Sequence, residues 1–123
     1  EQLAQVSGPA FAAMRTQLAA ARTAMAEVVD YMVANLKTDI KGVFAGSVPY
    51  LKLAGMLMSG WQLARAMLVA QAKQSAGDQD AFYRSKIATA HYYADHILSQ
   101  VPALRSAIVN GGASVNALAE SEF

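Results

Sequence analysis

Apolar residues return at alternating steps of three and four through Phe11, Met14, Leu18, Ala21, Met25, Val28, Met32 and Leu36. On a helix that spacing keeps one narrow stripe on a single side, close to the seam of a coiled coil. Ser7-Gly8-Pro9 stands just ahead of it. Proline costs nothing at the first helical position, where its missing N–H would have no partner. The pattern breaks at Gly42 and Gly46, so a first long helix is expected over about 9–41.

A second helix is expected over 48–75, opening at Ser47-Val48-Pro49. Its apolar residues, from Tyr50 and Leu51 through Trp61 to Val69, go nearly all the way round. A helix that is apolar on every side belongs in the middle of a bundle, so Leu57, Trp61 and Leu68 are expected in the interior. Gly55 and Gly60 sit inside this helix, where glycine costs about 0.5–1 kcal/mol relative to alanine. Both are therefore expected to mark close approach of neighbouring helices.

Ala76-Gly77 closes the second helix, and Asp78 or Asp80 can cap a third over about 79–101. Tyr83, Ile87, Ala90, Ala94, Ile97 and Val101 form its stripe. Pro102 starts a short fourth helix, 102–110, and Asn110-Gly111-Gly112 ends it, with a further helical turn expected around Val115 to Leu118. Period-two alternation is absent and alanine is abundant, which favours helix over strand. The expected fold class is all-α: one domain, 1–123, built as an antiparallel bundle of three long helices plus a short fourth.

Composition adds a surface to this picture. Of 123 residues, 54% are hydrophobic and only 15% charged, richer in apolar groups than a soluble surface requires. Some apolar surface is expected to be covered by another domain or by a second copy, making a homo-oligomer. The formal charge of +1, with Lys and Arg scattered singly, gives no footprint for nucleic acid. Val48 to Ala70 is long and apolar enough to raise a transmembrane reading, but Lys52 and Arg65 lie inside it, so no membrane span is expected. The chain opens at Glu1, not Met, and nothing there resembles a signal peptide. It reads as a fragment of a longer, cytoplasmic protein.

Candidate chemistry is sparse. Without cysteine there is no disulfide, thiolate metal site or thiol nucleophile. None of Glu1, Glu27, Glu120 and Glu122 stands three residues before a histidine, as a di-iron bundle requires. His91 and His96 point about 140° apart on a helix and cannot share a ligand. Gly111-Gly112 follows a helix rather than preceding one, the wrong end to hold an anion. No catalytic, cofactor-binding or metal-binding residue is therefore expected, and the chain alone should neither bind FAD nor oxidise a substrate. The six methionines are expected to be core filler.

Pro49-Tyr50-Leu51-Lys52-Leu53-Ala54-Gly55, followed by Gly60-Trp61 and Ala64-Arg65, has a familiar order. So do Phe82-Tyr83 with Lys86, Ala90-His91-Tyr92-Tyr93, Ile108 with Gly111, and Phe123. Together they resemble the helical domain at the C-terminus of a subset of acyl-CoA dehydrogenases, those of the 3-methylmercaptopropionyl-CoA dehydrogenase type. The likeness covers about residues 40–123, and His91 stands where that pattern has arginine.

The resemblance implies a parent flavoprotein that uses FAD to oxidise an acyl-CoA thioester, with its glutamate base and flavin contacts in upstream domains. This domain would pack on that catalytic core or on a neighbouring subunit. Arg65, Arg84 and Lys86 are the candidates to meet an acidic partner or a coenzyme A phosphate. Two other readings start from the residues alone. The first-helix stripe could coat an apolar or lipid surface as a free-standing module. A Met- and Tyr-lined interior could instead open into a small-ligand pocket.

Overall fold

A computed structural model describes residues 2–122, and Glu1 and Phe123 lie outside the described residues. The elements are α1 (Pro9–Asn35), α2 (Ile40–Ala45), α3 (Ser47–Ser75), α4 (Ala81–His96), α5 (Val101–Asn110) and α6 (Gly112–Val115). Short 3₁₀ turns stand at Gln2–Gln5, Leu98–Gln100 and Glu120–Glu122. The chain is all-α, with no strand among the described residues.

Local signals explain most boundaries. Gly8, at φ 126°, turns the chain into Pro9 and α1. α1 was expected to reach Lys41 but stops at Asn35, because Asp39 caps a separate helix: its side chain accepts from the Gly42 N–H at 3.0 Å. α3 closes in a Schellman arrangement. Asp78 N–H donates to the Lys73 carbonyl at 3.1 Å and Gly77 N–H to the Gln74 carbonyl at 3.0 Å, with Gly77 at φ 92°. Asp80 then caps α4 by accepting from the Phe82 N–H at 2.9 Å. α4 ends at His96, short of the expected 101, and the 3₁₀ turn carries the chain into α5. The helical turn expected around Val115 to Leu118 falls instead at Gly112–Val115.

α1 and α3 pack against each other, and each packs against α4 and α5. α1 and α3 are antiparallel, since Leu18 shares a groove with Trp61 while Val33 shares another with Tyr50. α3 and α4 are antiparallel too: Val69 faces Phe82 across a groove, and the Tyr93 hydroxyl donates to the Met56 carbonyl at 3.3 Å. Between α1 and α5, Arg105 Nε meets Glu27 Oε2 at 2.6 Å.

The core collects Phe11, Met14, Ala21, Ala24 and Val28 from α1 with Leu53, Ala64 and Met67 from α3. Ala90 and Ala94 from α4, Leu98 from the 3₁₀ turn, and Val101 and Ile108 from α5 complete it. Small side chains at the helix contacts let the axes come close. The first-helix stripe is the inward one, except that Leu36 at its end is exposed.

α3 departs from the expected picture. Trp61 is 44% exposed, and Leu57 and Leu68 are only half-buried. The neighbours α1, α4 and α5 all contact one side of α3, the side of Leu53, Gly60, Ala64 and Met67. Trp61 sits about 100° round from Gly60 and falls at the edge of that side. By length and composition α3 could cross a membrane. In the fold it contributes one buried face to the bundle.

Gly60 does mark a close approach: a Cβ there would lie 2.8 Å from a methyl of buried Leu98. Gly55 does not, since a Cβ there would meet nothing within 4 Å. At the far end of the bundle a Cβ on Gly112 would lie 2.9 Å from the Gly42 Cα, so α2 and α6 touch backbone to backbone.

Candidate interaction surface

α3 carries a second register of alternating three- and four-residue steps: Val48, Leu51, Gly55, Met58, Gln62, Arg65 and Val69. At 100° per residue these positions cluster nearly opposite Leu53, Gly60, Ala64 and Met67. They form the outer face of the helix. Val48 is 79% exposed, Leu51 73%, Met58 54% and Val69 61%. Phe44, four residues ahead of Val48 in α2, is 62% exposed. A row of exposed large apolar side chains along one helix face marks a candidate interaction surface.

Beyond Met58 the seam enters a groove of about 410 Å³ between α3 and α4. Its walls include Ala66, Val69, Ala70, Phe82 and Tyr83, with Arg65 and Lys86 beside them. Both cations rest on aromatic faces. The Arg65 guanidinium carbon lies 5.1 Å from the Trp61 ring centre, and Lys86 Nζ lies 4.9 Å from that of Phe82. Such stacking orders a side chain while leaving its charge available. Arg65 Nη1 also donates to Gln62 Oε1 at 3.3 Å. Burial, and then the neighbouring Asp78 carboxylate, pushes the Tyr83 phenol above its ordinary value.

Within α2 and α3 the charge has one sign. Between Ile40 and Ser75 the chain carries Lys41, Lys52, Arg65 and Lys73 and no carboxylate. The nearest acids, Asp78 and Asp80, accept backbone N–H groups of the turn into α4.

Of the residues singled out from sequence, Arg65 and Lys86 come together at this groove. Arg84 does not: it faces Gly8, Pro9, Ile87 and His91 on the other side of α4. His91 Nε2 lies 3.3 Å from Asp95, and His96 stacks on Tyr92 with ring centres 4.4 Å apart. No cluster of three His, Asp or Glu side chains among the described residues could hold a metal. Val48, Leu51, Met58 and Phe82 were not recognised from sequence as surface residues. For Val48, Leu51 and Met58 the signal is the second three-four register of α3, which all-round apolarity masks; Phe82, in α4, lies outside that register and outside the expected buried stripe.

Residues 1–119 match a family described as acetyl-CoA dehydrogenase C-terminal like. The chain is 38% identical over 108 residues to 3-methylmercaptopropionyl-CoA dehydrogenase of Ruegeria pomeroyi, covering 88% of this chain and 18% of that protein. It is 34% identical over 89 residues to the broad-specificity linear acyl-CoA dehydrogenase FadE5 of Mycobacterium tuberculosis, covering 70% of this chain and 15% of that protein. The chain thus spans under a fifth of the length of these relatives. No solved structure matches it significantly. An all-helical chain matched along almost its whole length belongs to the acetyl-CoA dehydrogenase C-terminal-like family.

Proposed function

We propose that this chain is the non-catalytic C-terminal helical domain of a cytoplasmic, FAD-dependent acyl-CoA dehydrogenase, and that it packs on the catalytic core or a neighbouring subunit of a homo-oligomer. The observation that carries the reading is the exposed apolar seam of α3, from Val48 to Met58. A surface of that kind is stabilised by about 25 cal/mol for each Å² of apolar area a partner covers. Family membership supplies the partner: both relatives are acyl-CoA dehydrogenases several times longer than this chain. The flavin, the substrate and the groups that react with them belong to the remainder of such an enzyme. Arg65 and Lys86 are the residues of this domain available to an acidic group of that remainder or to a coenzyme A phosphate.

Hydroxyl-radical footprinting tests the packing. In the isolated chain Met58, Trp61 and Phe82 should oxidise readily, whereas in the full-length enzyme they should be protected. The same full-length protein should carry flavin absorbance and reduce a dye when given acyl-CoA. Equal oxidation in both forms would remove the packing role, and a colourless, inactive full-length protein would remove the enzyme assignment.

A further inference from the structure

We infer that the outer face of α3 is the docking site for one amphipathic helix whose apolar seam is flanked by Asp and Glu. The shape of the occupant follows from the spacing. Val48, Leu51, Gly55 and Met58 repeat at three and four residues, the interval at which one helix meets another along a seam. Gly55, open on its outer side, and Ser59 one turn on leave a shallow place in the middle where a second backbone can come near. From Val48 to Val69 the face runs straight along one helix, roughly 30 Å at 1.5 Å per residue.

The sign of the occupant's charge follows from the flanks. Lys52, Arg65 and Lys73 are the only charges of α3, and Lys86 of α4 adds a fourth cation at the groove. Asp78 and Asp80 stand by Tyr83 at the end of the groove, but each already accepts a backbone N–H, so the cations set the sign along the seam. Carboxylates on the incoming helix would answer these cations and suppress wrong partners. Arg65 and Lys86 are already ordered by Trp61 and Phe82, which lowers the entropy lost when each takes an acid. A second copy offering the same face would set cations against cations. A lipid surface would use the apolar residues but gives no reason for a linear seam with a gap at Gly55.

The inference rests on the reading of the chain as a packed domain only for the source of the helix, the rest of the enzyme. Its test needs no flavin. The 123-residue chain is titrated with two three-heptad peptides, each with a leucine seam, one flanked by Glu and the other by Lys. The Glu peptide should bind at least tenfold more tightly, and added salt should narrow the difference. Leu51→Glu with Met58→Glu should abolish binding without moving the thermal midpoint, since both side chains are exposed. Lys52→Glu with Arg65→Glu should transfer the preference to the Lys peptide.

Equal affinity for the two peptides, or none for either, would overturn the inference. So would binding confined to vesicles of phosphatidylcholine and phosphatidylglycerol. A concentration-dependent dimer of the chain that Leu51→Glu dissolves would overturn it in favour of self-pairing. Failure here leaves the footprinting and flavin readouts of the full enzyme untouched, so the two readings fall separately.

Discussion

Gly55 and Gly60 lie on one helix and face opposite demands. A methyl at position 60 would press into both terminal methyls of Leu98, which is 1% exposed and would have to shift within the core. Overfilling a packed core costs about 1–3 kcal/mol, and the better helix propensity of alanine returns up to about 1. Gly60→Ala should therefore lower stability by about 1 kcal/mol net, read as a drop in the urea midpoint. Gly55→Ala should raise stability by up to about 1 kcal/mol, read as a higher urea midpoint, because it adds helix propensity and meets nothing. Tyr83 gives a second residue-scale test. Its phenol holds its proton more tightly folded than unfolded, through burial first and then Asp78. The stability this contributes is complete below the unfolded pKa of about 10 and is lost as pH rises through the folded value. Difference absorbance against Tyr83→Phe should show late ionisation, and Asp78→Asn should bring it earlier.

Among the elements, the α3–α4 turn is the part the sequence specified most completely. Gly77 takes a left-handed conformation at φ 92°, and Asp80 caps the next helix. Replacing either by alanine should cost about 1 kcal/mol in chemical denaturation, one through backbone strain and the other through a lost cap. The end of α1 was less legible. Leu36 continues the three-four period, yet the helix stops at Asn35 because Asp39 takes the Gly42 N–H for itself. Periodicity records what one helix could do, while the competing cap is a local contest that a pattern does not score. The surface of α3 was hidden for a different reason. Leu51 and Leu53 are the same residue type, one 73% exposed and the other buried. Only the placement of α1, α4 and α5 on one side tells them apart. The candidate site was accordingly legible in its charges, Arg65 and Lys86, and illegible in its apolar half.

At the scale of the whole molecule, a bundle with no buried polar side chain among the described residues presents an apolar outer face to water. The isolated chain should bind a hydrophobic dye, and Leu51→Glu with Met58→Glu should remove most of that signal while leaving the circular dichroism melt in place. Purified alone, it should be colourless and show no acyl-CoA-driven dye reduction; a yellow preparation would assign the flavin site to this domain. The backbone contact between Gly42 and Gly112 has a consequence in time. Those glycines belong to distant parts of the chain, and their meeting closes α6 over α2. A contact between two short peripheral helices is expected to form after the long helices pair, with a φ-value near zero. Gly112→Ala should then hasten unfolding in stopped-flow experiments and leave the refolding rate nearly unchanged. On that expectation the closure of α6 over α2 sets how long the folded chain persists, whereas the long helices set how fast it arrives.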